Sequence, residues 1–491
     1  MFKVFFKNEN KTIEVEEGTT ILEAEIKLGF TPDAPCGGKG VCGKCRCMIK
    51  NNTESVLACQ YKIHEDIDVI LPEETKHLLL EEGLSRKIEL RPAIECPKDK
   101  EIYAAAFDIG TTSVVCYILS LKDGKEKAKA SMLNPQCEYG ADVISRADYA
   151  INNGVQELTD CIRKALNELI SEVCDEAGIL NEDIYAASIV GNTCMHHLYM
   201  GIDPKPLVIA PYNAVIKDEL ELKPEETGLQ INKDGKLFIL PNIAGFVGAD
   251  TSGVLLATAF DEKQKLTLVI DIGTNGEMAL GTKEKFYVCS TAAGPAFEGA
   301  KIECGMRGRE GAIEHVSLNE NGDVVCKVIG DKESEGICGS GLLDAIAVLL
   351  KKGVIDESGR MECEKFYLTE NVYLSQKDIR EVQLAKSAIC TGIMMLAEKL
   401  GVEVHDIEEV LLAGAFGNYM DPDSACAIGL IPKELRSKII MIGNAAGEGA
   451  KLAVLSYPEF LRAQSIAEKA DFVELASESE FQDMFVDNLE F

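Results

Sequence analysis

The sequence feature that most constrains the fold is a strand–turn–strand motif that occurs twice. Residues 107–113 read FDIGTTS and residues 270–276 read IDIGTNG, so Asp108 and Asp271 take equivalent places 163 residues apart. A single copy carries little information, because hairpins that contain aspartate are common. Two copies at this distance indicate a two-lobed body built from duplicated α/β units.

The rest of the chain after the first copy agrees with such a body. Helical stretches at residues 154–178 and 378–401 alternate with shorter strand-like stretches, which is typical of α/β folds. We therefore expect one lobe over residues 104–263 and a second over residues 264–491. A short linker with mixed charge is expected before them, over residues 92–103.

Both copies of the motif are suited to bind phosphate groups. A strand that ends in aspartate and turns through Gly-Thr-Thr or Gly-Thr-Asn directs N–H and hydroxyl groups outward. Two such hairpins that face each other can hold the phosphates of a nucleotide, while each aspartate orients Mg²⁺ through water. The sequence contains no GxxxxGK[ST] loop. The candidate nucleotide-binding residues are Gly110, Thr111, Thr112, Gly273, Thr274, Asn275 and Gly276, and Asp108 and Asp271 are candidate catalytic carboxylates.

Other segments add candidates for the same site. The stretch LLAGAFGNYM contains Gly414 and Gly417, which fit either a backbone packed against adenine or ribose or simple turn glycines. In GFVGADTSG, Asp250 fits either a general base that positions an attacking water or the cap of a helix. The glycine-rich stretches AAGPAFEGA and GICGSGLLDA are suited to line a cleft between the lobes.

A cluster of cysteines lies near the amino terminus, in CGGKGVCGKCRC. Cys36, Cys42 and Cys45 are followed at a distance by Cys59. A C-x₅-C-x₂-C loop with a distant fourth cysteine indicates a binuclear 2Fe-2S cluster, with a first gap one residue longer than in plant-type ferredoxins. Structural zinc is the alternative, but it would need two C-x₂-C pairs and only one occurs. We interpret Cys47 as a strand residue that follows the cluster loop.

The elements around the cysteines predict a β-grasp domain over residues 1–91. Residues 2–6 and 12–16 alternate apolar and polar side chains, which predicts two half-buried strands. Thr20, with Glu23 three residues later, predicts a capping box at the start of a helix. A hairpin, a helix, the cysteine loop and further strands then follow one another.

Composition excludes several classes of function. The formal net charge of −31 repels phosphate backbones, so we expect no nucleic-acid partner. The amino terminus does not resemble a signal peptide, and no run of about twenty apolar residues occurs, so no membrane association is expected. Eighteen cysteines without an export signal indicate the reducing cytoplasm.

These motifs together resemble a known superfamily. The two DIGT hairpins and LAGAFGNY resemble the ASKHA superfamily of acetate and sugar kinases, heat-shock chaperones, hexokinases and actin, in which two RNase H-like lobes close on ATP. With the cysteine-rich domain in front, the chain is similar to the ATP-dependent reductive activators of corrinoid proteins. The segments that carry this likeness, between residue 1 and about residue 455, are NPQCEYGADVISRADYA, GNTCMHHLYMGIDP, STAAGPAFEGAKIECGMRGREGAI, GICGSGLLDAI, EVQLAKSAI and LAGAFGNYMD.

The resemblance implies a function. A 2Fe-2S ferredoxin-like domain would pass one electron to a corrinoid protein, the methyltransferase component, and reduce its inactive Co(II) to Co(I). ATP and Mg²⁺ in the ASKHA body would drive this step, and an upstream low-potential donor would supply the electron. Longer members of the family carry an additional segment where this chain has only its linker. A homodimer is one assembly that the sequence leaves open.

Three other functions are compatible with the same motifs. A non-corrinoid acceptor is one, since activators of 2-hydroxyacyl-CoA dehydratases resemble this chain in the ATP body but lack a ferredoxin-like domain. A small-molecule kinase with a redox-sensing appendage is the second. The third is a nucleotide-gated binding module without catalytic turnover.

Overall fold

The computed structural model describes residues 1–7, 11–28, 46–50, 55–71, 86, 88–95, 100–140, 142–299, 301–414 and 419–491. It divides into two compact units, Met1–His77 and Leu78–Phe491. This division lies closer to the amino terminus than the expected domain boundary at residue 91.

The first unit is built on a five-stranded sheet. Its strands are β1 (Phe2–Phe6), β2 (Lys11–Val15), β3 (Arg46–Ile49), β4 (Val56–Leu57) and β5 (Ile67–Ile70), and helix α1 spans Ile21–Lys27. The strand order is β2-β1-β5-β3-β4, with β1 antiparallel to β2 and parallel to β5. Fully buried side chains such as Val4, Phe6, Ile63 and Val69 form the core of the unit. The sheet and helix α1 agree with the expected β-grasp arrangement.

Helix α1 begins with the predicted capping box. The Thr20 N–H donates to Glu23 Oε2 at 2.8 Å, and the Glu23 N–H donates to Thr20 Oγ1 at 3.2 Å. The hydrogen bonds from the Thr20 backbone and side chain lower the pKa of the Glu23 carboxyl. This prediction is confirmed, because the two residues satisfy each other's orphan donors at the helix start.

The first lobe of the second unit contains a six-stranded sheet. Its strands are β6 (Tyr103–Ile109), β7 (Ser113–Ser120), β8 (Glu126–Leu133), β9 (Ile184–Gly191), β10 (Leu220–Leu222) and β11 (Lys236–Ile239), in the order β10-β11-β9-β6-β7-β8. Its helices are α2 (Val143–Asn153), α3 (Gln156–Ala177), α4 (Thr193–Met200), α5 (Lys205–Val208), α6 (Pro224–Thr227) and α7 (Ala249–Ala257).

The second lobe is built on a sheet with the same number of strands. It contains β12 (Thr267–Ile272), β13 (Gly276–Gly281), β14 (Phe286–Thr291), β15 (Ala312–Leu318), β16 (Val324–Val328), β17 (Gly336–Ile337), β18 (Lys365–Tyr367), β19 (Tyr373–Ser375), β20 (Glu409–Ala413), β21 (Ile439–Gly443) and β22 (Asp471–Phe472). Its helices are α8 (Gly339–Lys351), α9 (Gln376–Leu400), α10 (Pro422–Ala427), α11 (Ala445–Leu455), α12 (Tyr457–Lys469) and α13 (Phe481–Asp487). The main sheet has the order β21-β20-β12-β13-β14-β22.

The two main sheets repeat one topology. In the first lobe, β6 and β7 form an antiparallel hairpin, and β6 lies parallel to β9 on its other side. In the second lobe, β12 and β13 form the equivalent hairpin, and β12 lies parallel to β20. The duplication predicted from the two DIGT motifs is therefore present in the fold, and each motif forms the turn of the equivalent hairpin.

Helices α7 and α11 connect the two lobes. Their buried residues share one hydrophobic core with residues of both main sheets, including Ala106 of β6 and Leu411 of β20. The helices approach each other closely, since a Cβ atom added to Gly449 of α11 would lie 2.2 Å from the carbonyl oxygen of Gly253 in α7. Because α11 follows β21 in the chain, a helix from the second half of the sequence covers the sheet of the first lobe.

The segment before the first lobe packs on the second unit. The Arg86 guanidinium donates to the carbonyl oxygen of Leu256 at 2.8 Å and forms an ion pair with Glu459 at 2.8 Å. The Arg91 N–H donates to the carbonyl oxygen of Leu455 at 3.1 Å, and the Tyr457 N–H donates to that of Arg91 at 2.9 Å. These contacts explain why the units divide before residue 86.

Among the described residues, no helix has the length and apolar character needed to cross a membrane.

The Arg86 contacts predict a measurable contribution to stability. We expect Arg86→Ala to lower the free energy of unfolding of the second unit by about 1–2 kcal/mol, because Glu459 loses a charged hydrogen-bond donor at a site only 15% exposed. Urea denaturation followed by circular dichroism measures this change. Arg91→Ala is the matched control, since its side chain pairs with an exposed Glu89 and the expected change is below about 0.5 kcal/mol. Equal effects of the two substitutions would contradict the assignment.

Candidate functional site

The two lobes of the second unit enclose a cavity of about 690 Å³, a volume typical of cofactor sites. Both DIGT hairpins reach its wall. The residues predicted from the sequence that line it are Asp108, Gly110, Thr111, Thr112, Asp250, Asp271, Gly273, Thr274, Asn275 and Gly414. The two glycine-rich stretches also contribute, through Phe297 and Glu298 and through Cys338, Gly339 and Ser340. The expectation that these stretches line the cleft is confirmed.

The turn of the first hairpin is held by side chains behind it. Asn134 Nδ2 donates to the carbonyl oxygen of Gly110 at 2.8 Å, and Arg146 Nη2 donates to that of Thr111 at 2.5 Å. Both side chains are fully buried, and burial lowers the pKa of the Arg146 guanidinium. Asn192 Nδ2 donates to Thr111 Oγ1 at 2.9 Å. The carbonyl groups of Gly110 and Thr111 are thus directed at buried donors inside the protein.

Four of the carboxyl groups that line the cavity are removed from bulk water. Asp108 and Asp271 lie near the ends of β6 and β12, Asp250 lies in the first turn of α7, and Glu277 lies in β13. Removal from bulk water raises the pKa of Asp108 and Asp250 to about 6 and that of Asp271 to about 7. For Asp271, the charges of Asp250 and Asp108 add to this effect, and the pKa of Glu277 lies well above its usual range for the same kinds of reason. Such a set of carboxyl groups favours a bound cation.

Asn444 holds one of these carboxyl groups in place. Its Nδ2 donates to Asp108 Oδ2 at 2.8 Å and to the Tyr117 hydroxyl at 3.3 Å. Its Oδ1 accepts from the Gly447 N–H at 2.9 Å, so the same side chain caps α11. Asn444 and Glu277 are not among the site residues predicted from the sequence. A signal was available for Asn444, since GNAAG after an apolar run is typical of a capped helix start.

Three glycines predicted to bind ATP have different positions. Gly414 has a φ of +94°, and an added Cβ would lie 2.8 Å from Asp271 Oδ1, so only glycine fits beside the second hairpin. Gly276 does not line the cavity, because an added Cβ would lie 2.9 Å from Thr291 Oγ1 and would face the interior of the lobe. Gly417 lies outside the described residues.

Glu298 connects the two hairpins. Thr112 Oγ1 donates to Glu298 Oε2 at 2.6 Å, and Thr274 Oγ1 donates to Glu298 Oε1 at 2.7 Å. Each carboxylate oxygen therefore takes a hydrogen bond from a different lobe. Glu298 ends the 3₁₀ turn Pro295–Glu298, and its role was not visible in the sequence, where only the glycines around it were distinctive.

Most of the predicted cluster site lies outside the described residues. Cys36, Cys42 and Cys45 fall there, whereas Cys59 is described, buried and without a disulfide. The Cys59 thiol accepts a hydrogen bond from Gln60 Nε2 at 3.5 Å. Cys47 is buried in β3 opposite Val56, as expected for a strand residue. A buried thiol that is free of any disulfide is compatible with a cluster ligand.

The cavity fits a nucleotide that brings its own cation. Within the described ranges, no group of three His, Cys, Asp or Glu side chains is arranged to hold a metal ion. The carboxyl groups around Asp271 instead suit an ion that takes its remaining ligands from water and from phosphate oxygens, as Mg²⁺ does. The hydroxyl and N–H groups of the hairpins suit the phosphates.

Family models match almost the whole chain. A model described as "2Fe-2S iron-sulfur cluster binding domain" matches residues 4–64. The "RACo middle region" matches residues 103–263, and the "C-terminal domain of RACo the ASKHA domain" matches residues 265–491.

Similar proteins match most or all of the chain as well. The chain is 35% identical to "Corrinoid activation enzyme RamQ" of Eubacterium limosum, over 100% of this chain and 99% of that protein. It is 26% identical to "[Co(II) methylated amine-specific corrinoid protein] reductase" of Methanosarcina barkeri, over 79% of this chain and 77% of that protein. A solved structure, "Reductive activator for corrinoid,iron-sulfur protein", is similar with a TM-score of 0.77 and 29% identity, over 100% of this chain and 98% of that chain. The chain therefore belongs to the family of reductive activators of corrinoid proteins, with a 2Fe-2S domain followed by an ASKHA body.

Proposed function

We propose that this protein uses ATP to reduce the cobalt of a corrinoid protein from Co(II) to Co(I), one electron at a time. The observation that carries the proposal is the cavity in which two equivalent hairpins and four carboxyl groups meet, in a chain whose amino-terminal part matches a 2Fe-2S domain. An upstream low-potential reductant supplies the electron, and the reaction takes place in the cytoplasm.

Energetics explain why such a reaction needs ATP. Plant-type binuclear clusters have reduction potentials of about −400 mV, whereas Co(I) in a corrinoid forms only at very low potential. In a one-electron transfer, each ~59 mV uphill lowers the equilibrium constant about tenfold. ATP shifts such an equilibrium when one nucleotide state binds one form of the corrinoid protein better than the other.

The cavity residues have separate roles in this proposal. The turns at Gly110–Thr112 and Gly273–Asn275 hold the phosphates, and Gly414 lies at the adenosine. Asp108 and Asp271 orient Mg²⁺ through its bound water, and Asp250 positions the attacking water. The proposal is supported by the placement of all these groups around one cavity, and by the raised carboxyl pKa values, since carboxyl groups of this kind are stabilised by a cation.

The cluster site is proposed on the spacing of its cysteines. Cys36, Cys42, Cys45 and Cys59 would hold the 2Fe-2S cluster, which supplies one-electron chemistry when it is bound. The described part of the first unit supports this with Cys59, which is buried in the turn after β4 and forms no disulfide with a described cysteine.

An anaerobic optical assay tests the proposed function. Purified protein is mixed with a Co(II) corrinoid protein and a low-potential reductant, and ATP is added last. We expect the Co(I) band to grow only after ATP is added. A reduced cluster with no response of the corrinoid to ATP would reject the corrinoid acceptor, and other acceptors, including a 2-hydroxyacyl-CoA dehydratase, would then be tested in the same assay.

Asp108→Asn tests the role of the first hairpin. The amide keeps the shape and the neighbouring Asn444, but it removes the charge that orients the cation. We expect the rate of ATP-driven Co(I) formation to fall by about 100-fold or more, while the visible spectrum of the cluster stays unchanged. Asp148→Asn is the matched control, because Asp148 is exposed on α2 of the same lobe and should leave the rate unaltered. An undiminished ATPase rate in Asp108→Asn would contradict the assignment.

The raised pKa values predict a pH-dependent requirement for Mg²⁺. Carboxyl groups with pKa values of about 6 and about 7 hold protons in mildly acidic solution, and these protons compete with the cation. We expect the Mg²⁺ concentration for half-maximal nucleotide binding to fall about tenfold or more from about pH 5.5 to about pH 8. Fluorescence titration with a labelled nucleotide measures it. In Asp271→Asn the dependence should be weaker, and an equally steep profile would show that other groups cause it.

Cysteine substitutions separate the cluster from the ATP site. We expect Cys59→Ser to lose the visible absorption of the cluster and the reduction of the corrinoid, but to keep nucleotide binding, because the two sites lie in different units. Cys47→Ala is the control and should keep the cluster, since Cys47 is a core residue of β3. Loss of the cluster in Cys47→Ala and its retention in Cys59→Ser would reverse the assignment of the fourth ligand.

A further inference from the structure

We propose that Glu298 makes the site sensitive to the terminal phosphate of ATP: its carboxylate stands at the position of that phosphate and must leave when a nucleoside triphosphate binds. This inference rests on the proposed nucleotide site and adds to it a residue that distinguishes ATP from ADP.

The contacts of Glu298 are those of an anion held between the hairpins. Its two oxygens accept hydrogen bonds of 2.6 Å from Thr112 and 2.7 Å from Thr274. Distances of this length are typical of hydroxyl groups that donate to a charged oxygen. The two threonines lie in the turns of the two copies of the motif, one in each lobe, at neighbouring positions of the repeat, since Thr274 aligns with Thr111 and Thr112 with Asn275. A group that receives both hydroxyls therefore occupies the midpoint of the phosphate-binding apparatus.

Glu298 and a phosphate cannot both use these hydroxyls. A threonine hydroxyl has one proton to donate, and in the structure both protons are directed at Glu298. A phosphate at the same position would also place negative charge beside the carboxylate, in a cavity that already holds Asp108, Asp250 and Asp271. Occupation by one anion thus excludes the other.

The phosphate concerned is the terminal one. In the proposed function, Asp250, which lines the same cavity, positions the water that attacks the terminal phosphate. Gly414, where an added Cβ would lie 2.8 Å from Asp271 Oδ1, is the residue that the proposed function assigns to the adenosine. A diphosphate extends less far from the adenosine and leaves the contact between the hairpins and Glu298 intact.

The backbone around Glu298 is fixed, so the side chain is the part that moves. Phe297, the residue before Glu298, is only 3% exposed and packs in the core of the second lobe. Gly299 follows with a φ of +81°, and an added Cβ there would lie 2.6 Å from the carbonyl oxygen of Met306. The turn is thereby packed on both sides of Glu298, and rotation of its side chain is enough to release both threonines.

The consequence is an exchange of one interlobe connection for another. Without a terminal phosphate, Glu298 joins the lobes through its two hydrogen bonds. With a terminal phosphate, the ligand joins them through the same hydroxyls, at the expense of the internal contact. The protein therefore binds ATP less tightly, relative to ADP, than the hairpins alone would.

Nucleotide binding to charge-neutral variants tests the proposal. Anaerobic calorimetric titrations with Mg²⁺ compare ADP and a non-hydrolysable ATP analogue on the full chain, as wild type, Glu298→Gln and Glu298→Ala. We expect both substitutions to lower the Kd of the ATP analogue about tenfold and to change the Kd of ADP by less than about twofold, because only the triphosphate displaces the carboxylate. Glu320→Gln, at an exposed position of the same lobe, should alter neither value.

Each other result has a defined meaning. Weaker binding of the ATP analogue by Glu298→Gln would overturn the proposal and make Glu298 part of the ligand site itself. Equal changes for ADP and the analogue would also overturn it, since the terminal phosphate would then play no special part. If the wild type binds neither nucleotide, the proposed function fails and this role fails with it, whereas the first two results leave the nucleotide site standing. The cluster spectrum and the melting temperature confirm that each variant is folded.

Discussion

The structure depends on one electrostatic constraint: the cavity where a polyanionic nucleotide is proposed to bind is lined by carboxyl groups, among them those of Asp108, Asp250, Asp271 and Glu277. Removal from water raises the pKa values of Asp108, Asp250 and Asp271, which shows that these charges are poorly stabilised by the protein alone. In the proposed function a divalent cation resolves the conflict, because it is attracted by the carboxyl groups and by the phosphates together. The hairpins would then supply the donors for the phosphates, and the carboxyl groups would supply the place for the cation.

The fold brings these groups together in two ways. The hairpin is duplicated, and helix α11 from the second half of the sequence packs against the first lobe. Each copy of the β hairpin contributes one aspartate and one set of turn donors, and the parallel strand beside it fixes the hairpin in the sheet. The position of Asp108 then depends on Asn444, which caps α11 and comes from the far end of the chain. Because α11 packs closely on α7 through Gly449 and Gly253, the helix that carries Asp250 is placed by the same contact.

Local sequence patterns predicted the parts of the site that are local in structure. The hairpins, the capping box at Thr20 and the glycine-rich stretches each depend on residues a few positions apart, so their patterns could be recognised directly. The contacts that Asn444 and Glu298 make in the site could not be predicted in this way, since their partners Asp108 and Thr112 lie 336 and 186 residues away. Gly276 shows that a local motif alone does not place each of its residues. It belongs to the repeated motif, but the alternation of side-chain directions along β13 places it against Thr291 and away from the cavity.

Coupling between ATP and an electron requires two states of the ASKHA body that differ in how they bind a partner. A nucleotide that contacted only one lobe would give no reason for such a difference. Here the same two threonines receive either an internal carboxylate or, in our proposal, the terminal phosphate, and each threonine belongs to a different lobe. Replacement of a connection made by a side chain with one made by the ligand changes which groups hold the lobes together, and loss of the terminal phosphate reverses the change. The free energy available to drive the cobalt reduction would then be the difference in how tightly the two states, one with each connection, bind the corrinoid partner.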